Sequence, residues 1–242
     1  MAPILALDNI SKRFGAVVVA DDIGLSLAEG EALGIIGPNG AGKTTLFGIA
    51  TGTLTPDSGR VLFDGEDITH LALERRCRKG LARSFQIPQP FSGMTVFENV
   101  VVAAAFGGGE REAAVYDRCA ELLGRCGLAD KANKRAGGLT LLDRKRLELA
   151  RALATKPRVL LLDEVAGGLT EHECTALVTL IKDVRAGGVS IVWIEHVVHA
   201  LVATVDRLLV LHGGKFIAEG DPHDVIRSPQ VAEIYMGIAA DA

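Results

Sequence analysis

The pattern of hydrophobic positions divides the chain into three stretches. Short β-type runs come first, at 4–7, 17–19 and 23–27, followed by Glu31-Ala32-Leu33-Gly34-Ile35-Ile36, a near-continuous apolar stretch of the kind buried on both faces of a sheet. Residues 44–50 read as a helix, 58–65 as a strand ended by a turn, 71–79 as a helix and 81–86 as a strand. From Val96 to Ala154 the period is mainly helical, with breaks at Gly107-Gly108-Gly109 and Gly137-Gly138. Alternation then resumes: a strand at 158–162, a helix at 171–185, a strand at 189–194 and a short helix at 196–203. Gly213-Gly214, between apolar runs at 208–211 and 215–219, predicts a hairpin. This order predicts an α/β fold with a mostly parallel sheet, an antiparallel β edge and an inserted helical subdomain. The expected boundaries are a core of 1–86 with 156–242 and a helical segment at 87–155.

The strand at 31–36 runs into Gly37-Pro38-Asn39-Gly40-Ala41-Gly42-Lys43-Thr44, which fits GxxxxGK[ST] without a mismatch and precedes a helical pattern. This is the pattern of a P-loop NTPase core. Glycines let backbone N–H groups turn inward toward phosphate, and a helix N-terminus adds roughly half a positive charge. Lys43 is expected to supply a cation to the β/γ-phosphates of ATP, and Thr44 a hydroxyl to Mg²⁺. A second element answers it. Arg158-Val159-Leu160-Leu161-Leu162-Asp163-Glu164 is an apolar strand ending in two acids, and ligands in such sheets sit at the carboxyl ends of strands. Asp163 is the candidate Mg²⁺ holder and Glu164 the candidate general base for the attacking water.

Composition narrows the class. The chain has 242 residues, 48% of them hydrophobic and 23% charged, with a formal net charge of −4, so no nucleic-acid partner is expected from bulk electrostatics. No stretch approaches the ~18–20 apolar residues of a membrane span, and the N-terminal residues lack the basic start of a secretory signal. Cys77, Cys119, Cys126 and Cys174 form no zinc-type spacing and read as reduced thiols. A cytoplasmic location is expected, with any membrane link made through partners.

With both motifs placed, the chain resembles the ATPase subunit of an ABC transporter over nearly its full length. The resemblance implies ATP and Mg²⁺ as ligands. It assigns nucleotide contacts to Gly37, Asn39, Gly40, Ala41, Gly42, Lys43, Thr44 and Thr45, and metal contacts to Thr44, Gln86 and Asp163. Phe14 stands where the family stacks an aromatic on adenine; on its residues alone an ordinary core Phe is the other reading. Gln86 matches the glutamine that touches Mg²⁺ and links the core to the helical subdomain. His196 matches the family's switch histidine, expected at the γ-phosphate beside Glu164. Catalytic roles thus fall on Lys43, Gln86, Glu164 and His196.

Two segments depart from the family pattern. The family's Leu-Ser-Gly-Gly-Gln, which closes over the γ-phosphate bound to the opposite subunit to complete a composite site, is replaced by Leu139-Thr140-Leu141-Leu142-Asp143. The resemblance leaves Thr140 as a nucleotide-contacting hydroxyl that also caps the next helix, but both glycines and the glutamine are lost. After Glu164 stands Val165-Ala166-Gly167-Gly168-Leu169-Thr170, without the usual proline. The segments 31–47, 93–100 and 214–222 resemble the branched-chain amino acid importer branch. That resemblance implies a second ATPase subunit, identical or different, two transmembrane permease subunits, an external solute-binding protein, and a peripheral place on the inner face of the cell membrane. Related systems import urea or other small polar solutes. The stretch Ile87-Pro88-Gln89-Pro90-Phe91 reads either as a groove for a partner helix or as a buried connector. Two further readings remain: a nucleotide-gated module with weak hydrolysis, and a soluble ABC protein of DNA repair or ribosomes. The latter usually carries two ATPase halves or long coiled-coil insertions, which this sequence does not show.

Overall fold

The first strands outrun the hydrophobic runs that announce them. In the computed structural model, which describes residues 2–236, β1 spans Leu5–Phe14 and β2 spans Val17–Leu27. They pair antiparallel, with Phe14 opposite Val17 across a tight turn, and the register shifts between Leu7 and Arg13. Asn9 and Asp22 take φ of 52° and 56° in this irregular stretch. Its polar half carries no period-2 signal, because backbone pairing and bulges rather than alternating burial hold it in the sheet. Residue 1 and residues 237–242, at the ends of the expected core, lie outside the described residues.

β3 (Ala32–Ile36) is buried at every position, and α1 (Lys43–Thr51) follows the glycine loop. β4 (Ser58–Phe63) returns antiparallel to β1 and pairs with the short β5 (Glu66–Asp67), giving the antiparallel sheet β2-β1-β4-β5. Next come α2 (Leu73–Arg78), β6 (Leu81–Arg83) and α3 (Val96–Val102), which runs on into a π-helical turn at Ala103–Gly107. α4 (Tyr116–Arg125), α5 (Leu141–Ala154), β7 (Val159–Asp163) and α6 (Glu171–Ala186) complete this stretch, with β6 parallel to β7. Capping boxes start α3 (Thr95 with Glu98) and α6 (Thr170 with Glu173). The capped backbone N–H groups hold both carboxyls below the usual carboxylate range. Burial pushes the Cys126 thiol up to about 12, so it behaves as a small core hydrophobe.

The chain continues with β8 (Ser190–Ile194), α7 (Val198–Val202), β9 (Arg207–His212), β10 (Lys215–Gly220), α8 (Pro222–Arg227) and α9 (Pro229–Met236). β3 lies between β8 and β9, parallel to both, while β10 pairs antiparallel with β9 as the predicted hairpin. Fully burying each Leu, Ile or Val of these strands stabilises the fold by ~1.5–3 kcal/mol before chain entropy is set against it. Two compact units emerge: residues 1–72 with 190–242, and residues 73–189. All the described helices and turns at 87–155 belong to the second unit, which also takes in β6, β7 and α6. Among the described residues no helix is long and apolar enough to cross a membrane.

Candidate nucleotide site

In the first unit, β3 delivers the chain into the glycine loop under tight steric control. A Cβ at Gly37 would lie 2.3 Å from the Leu211 carbonyl oxygen. At Gly42, whose φ is 102°, it would lie 2.4 Å from that of Val19. Only glycine fits both positions. α1 starts at Lys43 with no side-chain cap on its first amides, so the helix end keeps its partial positive charge for an anion. Lys43 is buried, and its Nζ donates to the carbonyl oxygens of Gly37 at 2.6 Å and Pro38 at 3.1 Å. The loop therefore wraps the ammonium it presents. Ala41 is buried and Thr45 half-buried, while Asn39, Gly40 and Thr44 are exposed.

His196 follows β8 as the glycine loop follows β3, and these are neighbouring parallel strands with Ile35 opposite Ile194. Both segments thus leave the carboxyl ends of adjacent strands, where α/β sheets bind ligands. The His196 side chain is 56% exposed, and its backbone is fixed by the fully buried Glu195, whose carboxylate accepts from the N–H of His196 at 3.0 Å and of Val197 at 3.3 Å. Phe14 is 48% exposed, with the Lys12 ammonium 5.6 Å from its ring centroid, which rules out the core-residue reading.

The second unit carries the carboxylates. β7 ends in Asp163, 1% exposed, and the next residue, Glu164, sits in the left-handed region at φ 48°. Such a conformation for a non-glycine residue costs ~1–3 kcal/mol and is held only by its surroundings. Three observed contacts brace this turn. Gln86 Nε2 donates to the Glu164 carboxylate at 2.6 Å, Lys145 Nζ to the Glu164 carbonyl at 3.4 Å, and Ser84 Oγ accepts from the Asp163 N–H at 3.4 Å. β6 is shorter than the predicted 81–86 strand because the chain turns here to make these contacts. Arg83 Nη2 binds Asp163 Oδ2 at 2.6 Å, while Asp163 Oδ1 is buried without a hydrogen-bond partner. A buried carboxylate oxygen in that state suits a metal ion or its bound water.

Thr140 caps α5 by accepting the Asp143 N–H at 3.2 Å. Asp143 is buried and takes both its oxygens to Lys131 Nζ, at 2.9 and 2.8 Å. Leu141 is 44% exposed. Lys43, Thr44, Phe14 and His196 thus belong to the first unit, and Gln86, Asp163, Glu164 and Thr140 to the second. Reading the sequence missed Arg83 and Glu195. Glu195 left a signal, because a lone charge at the end of an apolar strand needs a partner, whereas the partner of Arg83 emerges only from the pairing of β6 with β7.

Similarity to known proteins gives the family and the fold. The family model described as ABC transporter matches residues 20–167. The chain is 36% identical to the high-affinity branched-chain amino acid transport ATP-binding protein BraF of Pseudomonas aeruginosa, over 98% of this chain and 99% of that protein. It is 33% identical to the lipopolysaccharide export system ATP-binding protein LptB of Acidithiobacillus ferridurans, over 98% of each. Among solved structures, the ADP conformation of the ABC transporter cassette MJ1267 superposes with a TM-score of 0.90 at 32% identity, covering 98% of this chain and all of that one. The wrapped Lys43, the uncapped α1 and the braced Asp163–Glu164 turn are therefore parts of a known kind of machine, and the chain belongs to the ABC transporter family as one of its ATP-hydrolysing subunits.

Proposed function

We infer that this subunit couples ATP hydrolysis to the import of branched-chain amino acids or a similar small polar solute, bound peripherally to two permease subunits at the inner face of the membrane. The Glu164–Gln86 hydrogen bond carries the mechanistic part of this reading. It holds the candidate base against a neutral amide at the head of the 87–91 loop, the residue that in this reading also touches the metal. Lys43 and the first amides of α1 bind and charge-compensate the β/γ-phosphates. Glu164 accepts the proton of the attacking water, His196 orients that water and the γ-phosphate, and Phe14 stacks on the base. Mg²⁺, when bound, supplies Lewis-acid polarisation of the phosphates, with Thr44, Gln86 and Asp163 as its holders. The relative BraF, named for branched-chain amino acid transport, supports the solute assignment. The test is uptake of labelled leucine into vesicles holding the assembled transporter. ATP-dependent accumulation is expected, and ATP hydrolysis with no leucine accumulation would remove this solute class.

The start of α5 favours a partner ATPase that differs from this chain. A phosphate-binding helix end needs open amides and little nearby negative charge. Here Thr140 takes one amide, Asp143 brings a carboxylate neutralised by Lys131, and Leu141 and Leu142 replace glycines. The composite site completed by this segment is then the weaker of two. Replacing Leu141 and Leu142 together by Gly is expected to raise the ATPase rate of the assembled complex severalfold, an effect on the order of 1 kcal/mol. An unchanged rate would count against the asymmetry.

A further inference from the structure

Within the second unit, Gln89 sits between two prolines, and a side chain from α5 holds its carbonyl oxygen. Arg151 Nη1 donates to that oxygen at 2.8 Å and to Glu148 Oε2 at 2.9 Å. Pro88 and Pro90 have no N–H, so Gln89 carries the only backbone donor from 88 to 90. The guanidinium also lies over the Phe91 ring, 5.2 Å from its centroid. Asn99, fully buried, clamps the Phe91 backbone from α3. Its Oδ1 accepts the Phe91 N–H at 2.8 Å and its Nδ2 donates to the Phe91 carbonyl at 3.2 Å.

An i,i+3 ion pair on a solvated helix face contributes little and holds nothing in place. This one differs, since the side chain of Glu148 is 7% exposed and that of Arg151 20%. Burial pushes the Glu148 carboxyl above its ordinary range, against the opposing pull of Arg151 and the Gln89 N–H. A desolvated pair of this kind adds little net stability, while losing one partner of it leaves the other buried and unpaired.

The loop from Gln86 to Phe91 therefore has two differently held ends. At one, the Gln86 side chain touches the Glu164 carboxylate. At the other, residues 89–91 are fastened to α5 and α3. Between them Ile87 is 70% exposed, and Phe91, beside Arg151, is 47% exposed.

We propose that the Glu148–Arg151 pair is the joint that makes the exposed 87–91 edge and α5 move as one piece. A partner pressing on Ile87 and Phe91 then shifts α5 and, through Gln86, the Glu164 carboxylate. Arg151 is a positioning residue in this scheme and touches no nucleotide. The proposal rests on the transport reading above, and its test separates the two.

The first measurement is amide hydrogen exchange on the full chain. The Phe91 amide, held by Asn99 next to the Gln89 carbonyl that Arg151 fastens, is expected to exchange roughly tenfold faster in Arg151→Met, with a smaller gain in Arg151→Lys, which keeps the charge but not the fork. The second is the ratio of leucine moved to ATP hydrolysed by the assembled transporter in vesicles. It is expected to fall about threefold or more in Arg151→Met and to recover partly in Arg151→Lys. Unchanged exchange in both variants overturns the joint. Faster exchange with an unchanged ratio reduces the pair to a structural tie and overturns its part in coupling. If Arg151→Met does not fold, Arg151→Lys decides on the same two readouts. A wild-type complex that hydrolyses ATP without moving leucine defeats the solute assignment. The joint is then judged on exchange and on whether Arg151→Lys still changes the stimulation of ATPase by the permease subunits.

Discussion

Glu164→Gln is expected to cut steady-state ATP turnover by about 10²–10⁴-fold, the usual contribution of a positioned general base. Nucleotide affinity should stay within about twofold of wild type, because Lys43 and the α1 amides are untouched. The exchange of a carboxylate for an amide keeps the size of the side chain and leaves an oxygen to accept from Gln86 Nε2. It also leaves the left-handed backbone at 164 with the same contacts from Lys145. What it removes is the ability to take a proton from water. Phosphate release measures the first quantity and fluorescent-nucleotide titration the second. Turnover at the wild-type rate would take the base assignment away from Glu164.

Arg83→Met should destabilise the fold by about 3–5 kcal/mol, read as a lower midpoint in urea. Asp163 is 1% exposed, and the side chain of its ion-pair partner Arg83 is only 10% exposed. Removing the cation strands the carboxylate, with one oxygen already lacking a hydrogen-bond partner. The cost is the unpaired charge rather than the lost attraction, so a second change distinguishes the two. Asp163→Asn in the Arg83→Met background should recover most of the stability without recovering activity. A loss below about 1 kcal/mol in the single variant would mean that Asp163 does not depend on Arg83.

The glycine loop, both acids at the end of β7 and the late hairpin were legible because each rests on local pattern: fixed spacing, a continuous apolar run, or paired glycines. The polar half of β1 was not, since its pairing is long-range and bulged. Arg83 was hidden for a different reason. Its charge reads as ordinary in a six-residue window, and only the parallel pairing of β6 with β7 shows that it meets a buried acid. Phe14 needed its solvent exposure before the reading as a core residue could be set aside. The stretch 87–91 needed the same: Ile87 and Phe91 are too exposed for a buried connector.

From Pro88 to Phe91 two backbone positions lack an N–H altogether and a third, Phe91, has its own taken by Asn99. Such an edge leaves Gln89 alone with a donor for an incoming extended peptide, too few for strand addition. The permease contact proposed above would therefore have to run through side-chain shape, with a knob set against Ile87 and Phe91, which suits a helix better than an extended segment.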